Sequence, residues 1–305
     1  MKKLLLFLFL VVFSFFGGLA AVRWNTILSS YFPNRTASVL EPVSHTRFLP
    51  SQYPLENRFF TVIVVGRNNG ASVERTLTSI FTQNYENFRI VYIDDGSDDG
   101  SFELARDLIY DMKYLIPTTL NRNEESIGPL ASLTSAIQSC SDEEIVVLVD
   151  GNDWLAHEWV LQKLNQYYAD PDLWMTYGQF RKYPSFELGS IQDCPGKDIR
   201  KCSFSAFHLQ TFYAALFKKI RTSDFLYLDK YFSSNAPLAY MAPMLEMADH
   251  HFQYIPDTLY IINSEVPVGS NKDLEILFEK YVRGLPSYKS LKSLKDDGFL
   301  RENEI

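Results

Sequence analysis

Apolar positions along this chain fall into short runs of strand-forming residues, separated by stretches whose apolar residues recur with a helical period. Ile145 to Val149 is the clearest run: five apolar residues with no polar alternation, as expected of a strand buried on both faces. Phe60–Val65 and Phe88–Ile93 are similar β-rich runs, and Tyr114–Thr118 is a weaker one. After the first run, Val73, Leu77, Ile80 and Phe81 align on one face of a predicted helix. After the second, Ala105, Leu108, Ile109 and Met112 do the same. Leu130, Leu133, Ile137 and Cys140 form the third apolar stripe, and Val160, Leu161, Leu164 and Tyr168 the fourth. Four strand–helix repeats in succession predict an α/β domain with a largely parallel sheet and helices on both faces.

Beyond about residue 178 the alternation stops. Ser205–Ile220, Pro237–Ala248 and Asn271–Arg283 have helical patterns, whereas Phe252–Ile255 and Thr258–Ile262 suit short strands. The last twenty residues are polar. Residues 23–57 hold Pro33, Pro42, Pro50 and Pro54 without periodicity, as in a linker or stalk. Asn34-Arg-Thr36 is a glycosylation sequon if the host and compartment glycosylate. The resulting division is 1–22, 23–57, a folded domain over 58–283, and a polar C-terminal tail over 284–305.

Lys2 and Lys3 precede an apolar stretch from Leu4 to Val22. That pattern suits a cleaved secretory signal, with Gly18-Leu-Ala20 as cleavage site, and equally an uncleaved membrane anchor. Both imply an exported or membrane-anchored protein. The 305 residues are 46% hydrophobic and 15% aromatic, enough for a substantial core, and the formal charge of −8 argues against a nucleic-acid partner. Of three cysteines, Cys140 reads as a buried thiol, while Cys194 and Cys202 flank a polar loop and would be able to pair in an oxidising compartment.

Candidate chemistry gathers where the strands end. The first strand runs into Gly66-Arg-Asn-Asn-Gly70, the second into Asp94-Asp-Gly-Ser-Asp-Asp-Gly100, and the fourth into Asp150-Gly-Asn-Asp153. In open α/β sheets, ligands bind beyond the carboxyl ends of the strands. Two acids there suit a hard divalent cation carrying nucleotide phosphates. The first turn lacks the G-x-G-x-x-G of dinucleotide folds, and no Gly-Lys-Ser/Thr ending of a P-loop is present. Asp95-x-Ser97-x-Asp99-Gly100 mimics a calcium loop only briefly, since the twelfth position is Arg106.

These turns in this order resemble the family 2 glycosyltransferases, which have the nucleotide-diphospho-sugar transferase fold called GT-A. The resemblance covers roughly residues 59–265. It rests on Phe60–Asn69, Thr76–Tyr85, Tyr92–Ser101 and Asp150–Asp153. It implies a donor site for a UDP- or GDP-sugar, with Gly66, Arg67 and Asn69 bordering the base and ribose. Asp95 would hydrogen-bond the base or ribose, with Asp94 beside it. Asp150 and Asp153 stand where the family has its Asp-x-Asp motif, so the resemblance assigns Asp150 to the donor and both acids to Mn²⁺ or Mg²⁺. Transfer would be to a hydroxyl of a glycan, lipid or protein acceptor, with inversion.

The second half departs from that pattern. The resemblance implies a carboxylate base shortly before Pro243-Met-Leu-Glu-Met-Ala248, but that position is Pro237, preceded by Asn235 and Ala236. Gln210 replaces an expected basic residue, and Asn121–Ser126 carries two acids where a basic, glycine-rich turn would suit phosphate. Glu246 lies nine positions past Pro237, about 13 Å along a helix, and reads as an exposed or paired acid rather than a substitute base. His208, His250 and His251 read as surface residues. A catalytically inactive GT-A-like protein, binding a nucleotide or glycan or serving as an interaction module, is therefore the alternative.

Overall fold

The computed structural model describes residues 53–112, 115–189, 199–201, 208–233, 237–266 and 272–296. Its first half alternates as the sequence predicts. β1 (Phe60–Gly66) is followed by α1 (Gly70–Phe81), β2 (Phe88–Asp94), α2 (Ser101–Met112), β3 (Thr118–Arg122), α3 (Pro129–Gln138) and β4 (Ile145–Asp150). β5 (Trp154–Leu155) and α4 (Val160–Tyr167) complete this half. The four strands β1 to β4 are parallel, in the order β3-β2-β1-β4.

The second half adds β6 (Met175–Tyr183), β7 (Glu187–Leu188), β8 (Thr211–Tyr213), α5 (Ala214–Lys218), β9 (Leu226–Tyr227) and β10 (Lys230–Tyr231). α6 (Pro237–Ala248), β11 (Phe252–Asn263) and α7 (Lys272–Gly284) follow. The sheet continues from β4 through β8, β6 and β11 to β5, with β7 pairing onto β6. β8 is antiparallel to both β4 and β6, while β6 and β11 are parallel. β9 and β10 form a separate two-stranded hairpin.

Several boundaries differ from the sequence reading. The third strand is Thr118–Arg122, not Tyr114–Thr118. It is an edge strand with no fully buried residue, so hydrophobicity marks it poorly. Within the described part of the helix expected over Ser205–Ile220, residues 208–220, only Ala214–Lys218 is α-helical, because Thr211–Tyr213 enters the sheet between β4 and β6. β6 lies where the alternation was read as ending. Phe252–Ile255 and Thr258–Ile262 are one strand, kinked by register shifts on both sides of Thr258.

β1 and β4 are buried because helices cover both faces of the sheet. One apolar cluster joins Ile63, Val91 and Val146 to Ile137, Phe212, Phe217, Met241, Met244 and Met247. α6 buries ten of its twelve residues, which makes it an interior helix rather than an amphipathic one. The stretch read as a polar C-terminal tail packs back onto it. Leu291 N donates to Met247 O at 2.9 Å, and Tyr288 is buried with its hydroxyl 2.7 Å from Asp224 Oδ2. Cys140 is buried, and burial pushes its thiol up to about 11. Cys194, Cys202, Asn235, Ala236 and the apolar stretch before Arg23 lie outside the described residues, among which no helix is long and apolar enough to cross a membrane.

Candidate functional site

Sheet register brings the three acidic and polar turns to one edge. Gly66 pairs with Asp94 on one side of β1, and Val65 pairs with Asp150 on the other. Asp94 and Asp150 therefore flank the end of β1, about 10 Å apart at two strand spacings. The turns touch closely: a Cβ on Gly151 would lie 2.6 Å from Gly66 Cα and 2.7 Å from Asn69 Nδ2. Only glycine fits there.

α1 holds the Asp150–Asp153 turn from below. Thr76 Oγ1 donates to Gly151 O at 3.1 Å and to Asp153 O at 2.7 Å. Leu155 N donates to Ser79 Oγ, and Gln83 Nε2 donates to His157 O at 2.7 Å. Thr76, Ser79 and Gln83 recur on one helical face and are all buried, so they replace water for the backbone of 151–157. Asn69 is buried as well, and its Nδ2 donates to Gly151 O at 2.6 Å. Its side chain thus supports the turn. Arg67 is exposed on the same turn.

Asp94 and Asp95 differ sharply. Asp95 receives hydrogen bonds from Asn123 Nδ2, Ser126 Oγ, Ile127 N, Gly128 N and Ser132 Oγ, all at 2.7–3.0 Å. Burial works to raise its pKa, but these bonds outweigh it and hold the carboxyl below the ordinary range. Both oxygens are committed to the loop over 123–128. Asp94 is fully buried; Oδ1 accepts from Ser97 N at 3.0 Å and lies 3.7 Å from Arg122 Nε. Its Oδ2 has no partner among the described residues.

At the other turn, Asp150 Oδ1 accepts from Asn152 N at 2.9 Å, and Asp153 Oδ1 accepts from Asn263 N at 2.9 Å. Burial raises the Asp150 pKa against those Asn152 bonds. Burial, then repulsion from Asp150, pushes Asp153 up to about 7. Two adjoining acids held in this way fit a divalent cation, which would remove their repulsion. No cluster of three His, Cys, Asp or Glu exists among the described residues, so a cation held here would have at most these two carboxylates as acidic ligands from them.

Tyr260 was not singled out in the sequence. Its buried hydroxyl accepts from Asp150 N at 2.9 Å and also bonds Asp153, which ties β11 to the acid turn. A tyrosine inside a strand-like run was the available signal, since a buried phenol needs a polar partner. His208 is not a surface residue: its ring stacks on Tyr260 with centroids 4.8 Å apart, and burial lowers its pKa to about 4.

The positions expected to hold a base and a cation are neutral or occupied. Pro237 opens α6. Gln210 is buried and accepts from Tyr240 OH at 2.8 Å, while its Nε2 has no partner among the described residues. Glu246 pairs with Arg200 through bonds of 2.6 and 2.9 Å, with both side chains buried, and also accepts from Tyr288 N. It is paired, as read, but buried rather than exposed. Glu124 and Glu125 are exposed on the loop that wraps Asp95.

Residues 61–219, more than half of the chain, match the family Glycosyl transferase family 2. The chain belongs to the family 2 glycosyltransferases. Glycosyltransferase GlyA of Streptococcus pneumoniae serotype 4 is 33% identical over 113 residues, which are 36% of this chain and 16% of that protein. The chain therefore spans a small part of the length of this relative. Among solved structures, S. aureus TarS 1–349 in complex with UDP-GlcNAc superposes with a TM-score of 0.51 at 16% identity, over 68% of this chain and 58% of that one. Mannosyltransferase PcManGT from Pyrobaculum calidifontis, in complex with GDP-Man and Mn²⁺, gives 0.50 at 16% identity, over 83% and 68%. These likenesses establish the GT-A fold, with its largely parallel, curled sheet.

Proposed function

We propose that the chain transfers a sugar from a nucleoside-diphosphate donor to a hydroxyl of a glycan, lipid or protein, with inversion, on the edge formed by β1, β2 and β4. The buried pair Asp150 and Asp153, whose pKa values are both raised, carries this reading. Such a pair is unfavourable unless a cation joins it. Mn²⁺ or Mg²⁺ bound there would supply charge neutralisation for the leaving diphosphate.

The remaining roles follow from which atoms are uncommitted. Asp94 Oδ2 is unpartnered among the described residues but fully buried, so an N–H of the base or a ribose hydroxyl would reach it only if neighbouring side chains move aside. Asp95 instead shapes the loop at 123–128, so its contribution to the donor is indirect. Gly66 and Gly151 allow the turns to meet, Asn69 fixes them, and exposed Arg67 would border the base and ribose. Neither Pro237 nor the paired Glu246 is able to take the acceptor proton. The rate then rests on positioning and charge stabilisation.

The same observations favour a second reading, a catalytically inactive descendant that keeps the donor site for binding. Titrating Mn²⁺ with UDP, then GDP, into the full chain and into Asp153→Ala tests the donor site. Metal-dependent binding in the wild type that falls at least about tenfold in the variant is the expected outcome. No binding to folded wild-type protein would overturn the proposal. Release of UDP or GDP from the sugar nucleotide in the presence of acceptor then separates an enzyme from its inactive descendant. Residues 1–22 would direct the domain into the secretory pathway or hold it at a membrane, which cell fractionation with and without that segment tests.

A further inference from the structure

A concave surface lies at the opposite end of the sheet from the acid turns, where the strands begin. It has a volume of about 770 Å³ and ten lining residues, drawn from the segment before β1, the α1–β2 turn and α4. Six of the ten are Asn or Gln, two are aromatic (Tyr85 and Trp159), one is acidic, and none is Lys or Arg. The rise of the seven-residue strand β1 puts it about 20 Å from the acid turns, so it is not part of the donor site.

We infer that this groove is a binding site for a neutral oligosaccharide, separate from the site of transfer. Primary amides present paired donors and acceptors that match adjacent sugar hydroxyls. Aromatic rings supply apolar faces for the C–H side of a pyranose. Without a lining cation, phosphate, sulfate and carboxylate ligands have no charge partner. The groove is open, and its volume is enough for about two or three sugar rings lying along it.

The groove is also built rather than incidental. Gln162 and Gln166 lie on one face of α4, where a solvated helix ordinarily carries charges, with Trp159 at its N-cap. The opposite stripe, Val160, Leu161 and Leu164, is buried in the core. Tyr85 is fixed by its hydroxyl, which donates to Arg58 O at 2.7 Å and to Asn165 Oδ1 at 3.0 Å, and by edge-on contact with Phe60. Asn165 Oδ1 also accepts from Arg58 N, while nothing among the described residues accepts from its Nδ2. Asn84 N donates to Glu158 O at 2.7 Å, which ties the α1–β2 turn to the start of α4. Both walls are thus held before any ligand arrives, which lowers the entropic cost of binding. A saccharide seated here would tether a carbohydrate polymer to the domain without occupying the transfer site.

The test uses the full chain without nucleotide or metal, titrated with maltotriose, cellotriose, mannotriose and tri-N-acetylchitotriose by calorimetry and tryptophan fluorescence. At least one is expected to bind at or below about 10 mM. Gln162→Ala/Gln166→Ala should weaken it at least about tenfold, with an unchanged circular dichroism spectrum and melting temperature, and Asp150→Ala/Asp153→Ala should leave it unaltered. The inference is overturned if none of the four binds in that range. It is equally overturned if binding persists in the folded glutamine variant, or if it is lost in the aspartate variant, which would locate the saccharide in the transfer site. The aspartate arm also keeps this result independent of whether the donor proposal holds.

Discussion

Asp95 after β2 and the pair Asp150 and Asp153 after β4 lie at one sheet edge, and they deal with negative charge in opposite ways. After β2, Asp95 is satisfied by five hydrogen-bond donors and its carboxyl lies below the ordinary pKa range. After β4, Asp150 and Asp153 repel one another in a buried setting, and Asp153 is pushed up to about 7. A carboxylate whose charge the protein already neutralises is a structural element. One left uncompensated needs something from outside. Residue type and position on the edge are nearly the same, so the difference lies in the donors that tertiary contacts bring to each side chain.

Asp95→Ala should give the largest effect. It leaves the donors of Asn123, Ser126, Ser132 and two backbone amides without an acceptor, those of Ser132 and Gly128 in a buried setting, and should cost about 3–5 kcal/mol in chemical denaturation. A loss under about 1 kcal/mol would erase the distinction between the turns.

Acid titration sharpens the comparison once the histidine beyond the second turn is separated out. His157 is buried, and burial lowers its pKa from 6.5 to about 4. The unfolded chain therefore binds a proton that the folded chain refuses. The stability this one group contributes is fully present above pH 6.5 and falls as pH drops toward 4, by about 3 kcal/mol. His208 is lowered to the same value and acts in the same window, whereas the raised pKa values of Asp150 and Asp153 act against both histidines. His157→Gln should therefore remove about half of the histidine slope, while the Asp95 contribution is lost only at still lower pH. An unchanged slope in the variant would assign the window to other groups.

Thr76→Val removes the hydroxyl that spans Gly151 O and Asp153 O. A loss of about 1–2 kcal/mol, with weaker Mn²⁺–nucleotide binding, is expected from paired melting and calorimetry. The smallest effect on stability belongs to Asp153→Asn in metal-free buffer, which should leave the protein as stable or about 1 kcal/mol more stable, because repulsion with Asp150 disappears. The sign is the informative part. Destabilisation approaching that of Asp95→Ala would mean that the second pair is structural too.

Much of the proposed donor edge was legible from the chain alone, because a parallel βαβ unit writes its pattern locally. β1, β2 and β4 are continuous runs of strand-forming residues, and their turns carry the acids within a few residues of each strand end. The stretch Thr76–Tyr85 was visible as a family mark, but its physical basis was not. Only the fold brings Thr76, Ser79 and Gln83 beneath a backbone more than seventy residues away. The second half was read less well. β8 pairs with β4 and β6, partners far along the chain, so three residues that looked helical became a strand.

The sequence by itself determined the strand–helix alternation, the α/β class, the position of the acid turns and the departures at Pro237 and Gln210. Periodicity and spacing are local properties, and they survive without knowledge of neighbours. Tertiary structure alone decided which acid is satisfied and which is left to a ligand, that Glu246 is locked to Arg200, and that six amides and two aromatic rings share one groove. Each of these depends on which distant groups reach the same few ångströms, where burial and hydrogen bonding set the energy of a charge or a dipole.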